Sequence, residues 1–232
     1  MTANGSKPTA LIIGASRGLG LGLVEEYLRR GWNVVGTIRA PGQTRLHAVA
    51  ERSGGSVEIE RLDTTIPDQI AVLAGRLQGR VFDLLFVNAG VANNPKQTIG
   101  DTSTEEFVRI MLTNTLGPMR VIEALADLVA PTGIIGVMSS GLGSVADNES
   151  GAYETYRASK AALNTLMRSF AARNPARSMV IIAPGWVRTD MGGPNADLAI
   201  EDSIPRVVDT ITAQTGKSGV RFLDYRGETV RW

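Results

Sequence analysis

The 232-residue sequence contains no cysteine and only one histidine, and these two shortages narrow the chemistry available to it. Without cysteine, disulfide bonds, thiolate catalysis and cysteine-ligated metals are excluded. The single histidine, His47, lies in a segment from Gln43 to Arg52 that has the pattern of a surface helix, so we interpret it as a solvated or packing residue. A Ser-His-Asp hydrolase and a histidine-rich zinc site are therefore not expected, and we predict no metal site.

Charge imbalance and long apolar runs are also missing. Lys and Arg number 24 against 23 Asp and Glu, so the net charge of +1 predicts neither a nucleic-acid partner nor a membrane surface. No segment has the roughly 20 apolar residues of a membrane span, and residues 1–8 form a short polar stretch that we expect to be a flexible tail. We expect a cytoplasmic protein. A length of 232 residues with 43% hydrophobic content favours one domain over residues 1–232.

Short apolar runs alternate with segments of helical periodicity along the whole chain. The predicted strands cover 9–13, 33–38, 57–62, 83–87, 134–138, 178–183 and 220–224. The predicted helices cover 19–30, 66–77, 103–129 and 151–173, with one more between 191 and 215. The strand at 57–62 alternates as a half-buried or edge strand does. The alternation predicts an α/β fold: a single-domain, Rossmann-type, doubly wound parallel sheet of about seven strands, with helices on both faces.

The first predicted strand ends in a glycine-rich turn, Gly14-Ala15-Ser16-Arg17-Gly18-Leu19-Gly20. Glycines let the backbone approach a ligand closely, and the free N–H groups at a helix start attract phosphate. We therefore interpret the turn as a pyrophosphate cradle, although its spacing differs from G-x-G-x-x-G. The alternative is a merely tight connection between a strand and a helix.

The residue after the second strand indicates the type of cofactor. An acid there would bind the ribose 2′-hydroxyl of NAD, whereas an arginine accommodates the 2′-phosphate of NADP, and here it is Arg39. Arg17 could close on the same phosphate. We predict NADP(H) over NAD(H), with two solvated arginines as the alternative. Asp63, after the third strand, could accept from the adenine amino group or cap a turn, and the small residues Asn88-Ala89-Gly90 would let a cofactor approach the fourth strand.

Tyr156 and Lys160 lie four residues apart in a predicted helix and therefore on one face. A nearby ammonium favours phenolate and lowers a tyrosine's pKa toward neutrality, which suits a general acid/base. Serines 139, 140 and 144 follow the fifth strand, at the ligand-binding edge of an open α/β sheet. Asn114 lies mid-helix before Gly117-Pro118, where proline is expected to kink the helix and free a carbonyl for water.

In their order along the chain, these residues resemble the short-chain dehydrogenases/reductases over essentially the whole length. The matching positions are Gly14-x3-Gly18-x-Gly20, Asp63, Asn88-Ala89-Gly90, Asn114, a serine after the fifth strand, Tyr156-x3-Lys160 and Pro184-Gly185. The run from Pro184 to Gly193 and the Tyr-Arg-x-Ser-Lys context are most similar to the branch of C-factor-like and sniffer-like carbonyl reductases.

The resemblance implies an NADP(H)-dependent carbonyl reductase or alcohol dehydrogenase that acts on a small aldehyde, ketone or secondary alcohol. It implies a homodimer or homotetramer and neither nucleic-acid nor membrane partners. The implied catalytic residues are Asn114 (a water anchor), Ser140 (a hydrogen bond to the substrate oxygen), Tyr156 (the proton donor or acceptor) and Lys160 (which also holds the nicotinamide ribose). The implied cofactor-binding residues are Gly14, Ser16, Arg17, Gly18, Leu19, Gly20, Arg39, Asp63, Asn88, Ala89, Gly90, Tyr156, Lys160, Pro184, Gly185, Val187 and Thr189.

Three departures from the family pattern leave alternatives. Ile13 stands where the family often has threonine, which removes a hydroxyl without preventing cofactor binding. The interval from Ser140 to Tyr156 is long, so Ser139 or Ser144 is an alternative to Ser140. The segment after Asp190 is short for a substrate lid, which implies an open site or a small cap. A dinucleotide-binding signalling or redox-sensing protein on the same fold is the alternative function, because a fold does not determine an activity.

Overall fold

The computed structural model describes residues 7–232 and arranges them around one seven-stranded sheet. The strands are β1 Thr9–Ile13, β2 Asn33–Ile38, β3 Val57–Arg61, β4 Phe82–Val87, β5 Val129–Met138, β6 Ser178–Ala183 and β7 Gly219–Asp224. The helices are α1 Gly18–Arg29, α2 Arg45–Arg52, α3 Pro67–Arg76, α4 Thr104–Met111, α5 Gly117–Leu125, α6 Glu154–Arg173 and α7 Ile200–Thr212. Most of the predicted flexible tail, residues 1–8, lies outside the described residues.

The strands are parallel and lie in the order β3-β2-β1-β4-β5-β6-β7. The chain builds outward from β1 to β3 and then returns to β4, so the direction of winding reverses between β1 and β4. At such a point the connections leave toward opposite faces and open a crevice at the carboxyl ends of the strands. The predicted doubly wound sheet is confirmed, and β3 lies at its edge, as its alternating sequence indicates.

Two apolar layers cover the two faces of the sheet. Along β1, Leu11 and Ile13 contribute to the layer that packs against α3, α5 and α6, while Ala10 and Ile12 contribute to the layer under α1, α2 and α7. Since both faces are covered, the central strands read as continuous apolar runs rather than as alternating ones. Among residues 7–232, no helix has both the length and the apolar character needed to cross a bilayer.

The predicted single helix over 103–129 is wrong, because the structure divides this stretch. Helix α4 ends at Met111, a π-helical turn covers Leu112–Leu116, and α5 begins at Gly117. Pro118 has no N–H to give to the carbonyl four residues earlier, so the regular ladder cannot continue through this point. At the other end, Val129 already belongs to β5, whose pairing with β4 is irregular before Leu84. The predicted strand 134–138 is only the regular part of β5.

His47, expected to be a solvated or packing residue, is partly buried and caps a helix. It lies in the first turn of α2, where its Nδ1 accepts a hydrogen bond from the backbone N–H of Thr44 at 3.1 Å. The imidazole therefore acts as the second partner in a capping box, a position usually held by Glu or Gln.

Glu26 is a buried acid in α1 that holds Arg30, the residue that links α1 to α7. Its carboxylate accepts hydrogen bonds from Arg29 at 2.7 and 2.8 Å and from Arg30 at 2.6 Å, and Arg30 also pairs with Asp209 at 2.7 Å. The hydrogen bond from Arg29 is the largest of the effects that hold the pKa of Glu26 below its ordinary value of 4.5, and burial opposes it. Glu26→Gln is expected to lower the free energy of unfolding at pH 7 by about 2 kcal/mol, because a buried charge-assisted network loses its anion.

Urea unfolding at pH 7 and at pH 3.5 measures this contribution. A carboxyl whose pKa is lower in the folded state stabilises the protein above the unfolded pKa and loses that effect as pH falls through the folded pKa. The difference in the free energy of unfolding between wild type and Glu26→Gln should therefore be smaller at pH 3.5 than at pH 7. Glu123→Gln is the matched control, because Glu123 pairs with Arg173 at an exposed site and should cost less than about 0.5 kcal/mol. An equal loss of stability for Glu26→Gln and Glu123→Gln at both pH values would contradict a stabilising role of the Glu26 carboxylate.

Candidate active site

A cavity of about 1150 Å³ occupies the crevice at the carboxyl ends of the strands, from the glycine-rich turn to the start of α6. Most of the predicted site residues line it: Gly14, Ser16, Arg17, Gly18, Leu19, Arg39, Asp63, Asn88, Ala89, Gly90, Ser140, Tyr156, Lys160, Pro184, Gly185, Val187 and Thr189. Two predicted residues, Gly20 and Asn114, lie behind the lining, where they contact residues that form it. The fold thus brings predicted site residues from seven segments of the chain to one cavity.

The glycine-rich turn has the backbone conformation that its sequence predicts. Gly14 and Gly18 have φ values of +87° and +56°, which other residues rarely adopt. The side chain of Thr37 in β2 accepts a hydrogen bond from the Gly14 N–H at 2.9 Å, and this fixes the first part of the turn. Arg17 is the N-cap of α1, so the unpaired N–H groups at the start of that helix face the cavity. This arrangement can bind a phosphate group.

Gly20 allows the start of α1 to lie against the end of β1. A Cβ atom at this position would lie 2.0 Å from the Gly14 carbonyl oxygen and 2.6 Å from Nδ2 of Asn88. That same Nδ2 donates a hydrogen bond to the Gly14 carbonyl at 2.9 Å. Asn88 therefore holds the turn closed as well as lining the cavity, and the role of Gly20 is to leave room for this contact.

Gly20→Ala is expected to displace the turn and to weaken both stability and dinucleotide binding, because a backbone carbonyl cannot move away as a flexible side chain does. We expect a loss of stability of about 2 kcal/mol or more and a clear rise in the dissociation constant of NADPH. Gly75→Ala is the control, since Gly75 lies in α3 with nothing within 4 Å of the added carbon. The free energy of unfolding of Gly75→Ala should be about 0.5 to 1 kcal/mol higher than that of the wild type. Thermal unfolding with and without NADPH compares them, and a neutral Gly20→Ala would contradict this account.

Two arginines stand at the glycine-turn end of the cavity. Arg17 and Arg39 are both exposed and both line it. Arg17 forms an ion pair with Asp190 at 2.8 Å, which joins the glycine-rich turn to the loop after β6. The Arg39 carbonyl accepts a hydrogen bond from Nε of Arg61 at 3.4 Å, and Arg39 is part of the cavity lining. These guanidinium groups can bind an anion that enters this end.

Asp63 caps a turn, one of the two roles that its sequence position allows, and its contact with a cofactor stays a prediction. It lines the cavity, and its Oδ1 accepts hydrogen bonds from the N–H and hydroxyl of Thr65 at 2.9 and 2.7 Å. The carboxylate therefore caps the turn before α3 and keeps a second oxygen that can accept a hydrogen bond from a ligand.

Of the three candidate serines, the structure places Ser140 beside Tyr156. Both residues line the cavity, and the Ser140 hydroxyl is close enough to the phenol to lower its pKa by hydrogen bonding. The Ser139 hydroxyl is buried and donates to Oδ1 of Asn164 at 2.7 Å. The Ser144 hydroxyl is buried and donates to Oδ2 of Asp147 at 2.9 Å. Ser139 and Ser144 therefore hold the loop after β5, which leaves Ser140 as the candidate among the three whose hydroxyl is not used in this way.

Tyr156 and Lys160 lie on one face of α6, as their spacing predicts. The Lys160 ammonium lies 5.7 Å from the centre of the Tyr156 ring and donates to the Met138 carbonyl at 2.9 Å. Burial lowers the pKa of Lys160 to about 8. Burial also raises the pKa of Tyr156 to about 12, while the hydrogen bond with Ser140 acts in the opposite direction. The pKa of Tyr156 is thus raised rather than lowered as the spacing of Tyr156 and Lys160 predicts, because burial is the largest effect on the phenol.

Asn114 lies in the π-helical turn and is fully buried. Its side chain pairs with the backbone of Val91 in both directions, accepting from the N–H at 2.8 Å and donating to the carbonyl at 2.8 Å. Its Nδ2 also donates to Oγ of Ser159, next to Lys160, at 2.9 Å. Asn114 thus connects the loop after β4 to α6. The widened turn places this side chain where a regular helix would not.

The loop after β6 is short and folds back on itself. Leu198 exchanges backbone hydrogen bonds with Trp186 and Arg188 at 3.0 and 2.8 Å, and of residues 191–199 only Met191 and Gly192 reach the cavity. Gly185 has a φ of +82°, and a Cβ there would lie 2.6 Å from Leu198. The expected small cap is what the structure has.

Several cavity residues are not predicted by the sequence analysis. Tyr153 is the clearest: it lines the cavity, its ring lies 6.3 Å from that of Tyr156, and within residues 7–232 it is the only non-glycine residue with a positive φ, +62°. An aromatic residue three positions before Tyr156 is a signal that helical spacing offers. Tyr225 and Val230 also line the cavity, and no local pattern indicates this. Over the described part of the chain, no group of His, Cys, Asp or Glu side chains is arranged to hold a metal ion.

Comparison with known proteins agrees with this geometry. A sequence model of the short chain dehydrogenase family matches residues 8–198. A short-chain dehydrogenase/reductase structure from Burkholderia multivorans with bound NADP is 60% identical, with a TM-score of 0.96 over 98% of this chain and 100% of that one. A carbonyl reductase from Pseudomonas aeruginosa PAO1 in complex with NADP is 37% identical, with a TM-score of 0.90 over 98% and 100%. The C-signal protein of Myxococcus xanthus is 36% identical over 154 residues, which span 65% of this chain and 92% of that protein.

Proposed function

Because the chain belongs to the short-chain dehydrogenase/reductase family of oxidoreductases, we propose that it is an NADPH-dependent carbonyl reductase or alcohol dehydrogenase. Its substrate is a small aldehyde, ketone or secondary alcohol. The observation that carries the proposal is the shared cavity, in which Ser140, Tyr156 and Lys160 meet at one end and the glycine-rich turn lies at the other. The NADP complexes of the Burkholderia and Pseudomonas proteins support the choice of cofactor.

The residues present fit an NADP molecule. The backbone N–H groups at the start of α1 would hold the pyrophosphate, and Arg17 and Arg39 would hold the 2′-phosphate through charge-assisted hydrogen bonds. Asp63, Asn88, Val187 and Thr189 line the same cavity and would contact the rest of the dinucleotide. A nicotinamide bound there supplies hydride to the carbonyl carbon.

The chain's own residues then handle the oxygen of the substrate. Ser140 and Tyr156, which line the same cavity, would both donate to the carbonyl oxygen and stabilise the negative charge that develops on it. Tyr156 would give its hydroxyl proton to this oxygen in reduction and accept the proton back in oxidation. Lys160 would supply positive charge beside the resulting phenolate, which offsets the cost that burial places on it.

Asn114 would connect the proton donor to solvent. Pro118 cannot donate a hydrogen bond to the Asn114 carbonyl, so that carbonyl can hold a water molecule near Lys160. The side-chain bridge from Asn114 to Val91 and Ser159 would keep it in position. Asn114 is therefore proposed as a member of the proton path.

A signalling or redox-sensing role on the same fold is the second candidate, and the similarity to the C-signal protein favours keeping it. Tight NADPH binding without turnover of any carbonyl compound would support this role. Initial rates of NADPH and NADH oxidation with a panel of aldehydes, ketones, 1,2-diketones and quinones decide between the two. The enzyme proposal expects turnover with NADPH, and a complete lack of it with both cofactors would contradict the proposal.

We also propose a homodimer or homotetramer in the cytoplasm. Helices α4 and α6 and the turn between α4 and α5 carry partly exposed apolar side chains, at Phe107, Val108, Leu116 and Leu166. The resemblance to short-chain dehydrogenases/reductases implies that two copies of the chain associate through these helices. Light scattering during size-exclusion chromatography tests this, and a monomer mass at micromolar concentration would count against it.

A further inference from the structure

The segment 228–232 turns back after β7 and reaches the cavity. The Asp224 N–H donates to the carbonyl of Glu228 at 2.8 Å, and the Val230 N–H donates to the carbonyl of Phe222 at 2.9 Å. Val230 is partly buried against the core and lines the cavity together with Ser140, Leu142 and Tyr156. An apolar side chain outside the predicted motifs is therefore part of the wall of the cavity that also holds the reactive residues.

The segment 228–232 is fixed to the loop after β5, which we define as residues 140–152. Arg231 forms an ion pair with Asp147, and the Ala146 N–H donates to the carbonyl of Trp232 at 3.1 Å. Oδ2 of Asp147 also accepts a hydrogen bond from the hydroxyl of the buried Ser144 at 2.9 Å. One carboxylate thus joins the loop that begins with Ser140 to the segment that carries Val230.

Both partners in this contact have further anchors. The centre of the Trp232 ring lies 5.7 Å from that of the Phe222 ring. The Arg168 guanidinium lies 4.5 Å from the centre of the Trp232 ring, and this contact fixes the segment to α6. At the other end of the loop, buried Arg157 donates to the Ala152 carbonyl at 2.7 Å and to Oγ of Ser150 at 2.8 Å. A wall held at several points discriminates ligands by shape, since it cannot move aside without breaking these contacts.

We propose that Val230 is a specificity-determining residue that limits the size of the group beside the reacting carbonyl, and that Arg231 and Asp147 position it. This inference rests on the proposed carbonyl-reductase function. A single methylene changes discrimination in an apolar pocket by 10-fold or more, so a change from Val to Ala or Phe is large enough to measure.

Two 1,2-diketones of different size, 2,3-butanedione and benzil, test the proposal with NADPH as cofactor. Val230→Ala should raise kcat/KM for benzil relative to butanedione by about tenfold, and Val230→Phe should lower that ratio by a similar factor. The dissociation constant of NADPH should stay unchanged in both variants. Ligand-detected NMR of the same two probes on the NADP⁺-bound protein gives a binding ratio that does not depend on turnover.

Arg231→Met tests the positioning role. It should raise KM for both diketones more than it lowers kcat, and it should increase hydrogen–deuterium exchange in residues 140–152. Arg173→Met is the matched control, because Arg173 also makes an exposed ion pair with a single carboxylate, that of Glu123, and it should change neither quantity.

The outcomes separate this inference from the proposed function. A binding ratio that follows the size of residue 230 supports the specificity role, and if turnover is then absent, only the enzyme proposal fails. Turnover with a ratio that stays the same in both Val230 variants overturns the specificity role and leaves the enzyme proposal standing. Failure of both probes to bind would count against both.

Discussion

Tyr156→Phe is expected to reduce kcat for carbonyl reduction by at least about 10³-fold while the protein still binds NADPH. The substitution removes only the hydroxyl, which takes away the proton donor and one of the two hydrogen bonds to the developing alkoxide. The remaining ring keeps its packing against Tyr153 and Lys160. Steady-state rates, with NADPH binding followed by fluorescence, measure both properties on the same samples.

Tyr27→Phe is the matched control for this prediction. Tyr27 is a fully buried tyrosine, and its hydroxyl has no hydrogen-bond partner among the described residues. It packs on Trp32 at 4.9 Å, within the layer under α1 and away from the cavity. This variant should keep wild-type turnover. If Tyr156→Phe also kept it, another group would have to be the acid.

Arg39→Asp is expected to weaken NADPH binding by about 100-fold and to leave NADH binding nearly unchanged. The loss corresponds to a charge-assisted pair replaced by repulsion between a carboxylate and the 2′-phosphate. Arg39 is exposed at the glycine-turn end of the cavity, so the fold should tolerate the change. Isothermal titration with both cofactors measures the two affinities.

Arg52→Asp controls for the change in net charge. Arg52 is exposed at the end of α2 and lies outside the lining of the cavity. It should alter NADPH binding little at 0.15 M salt, where distant charges are screened. Equal NADPH and NADH affinities in the wild type would refute the 2′-phosphate argument outright.

The sheet and the cofactor end of the cavity could be predicted from sequence because their signals are local. A strand buried on both faces, such as β6, reads as one apolar run. The glycine-rich turn needs its glycines because of its own backbone and that of the adjoining helix. Arg39 follows directly from the end of β2. None of these predictions required knowledge of which side chains meet in three dimensions.

The reactive end could be predicted only in part, because its details depend on contacts between distant segments. Ser139 and Ser144 are set apart from Ser140 by Asn164 and Asp147, and nothing in the local sequence shows these partners. Pro118 indicates that the helix is interrupted near Asn114. The position of the Asn114 side chain, however, is fixed by hydrogen bonds to two other segments. The pKa of Tyr156 is set by burial in the folded protein, which the i, i+4 spacing alone does not reveal.

The most direct test of the account follows the hydride itself. Wild-type protein is incubated with NADPH deuterated at both C4 positions and a mixture of aldehydes, ketones and 1,2-diketones, and the alcohols formed are analysed by mass spectrometry. The account predicts at least one alcohol with a single deuterium on the carbinol carbon and none with Tyr156→Phe. Bound NADPH without deuterium in any alcohol would contradict the assignment of a carbonyl reductase and would favour the sensing role.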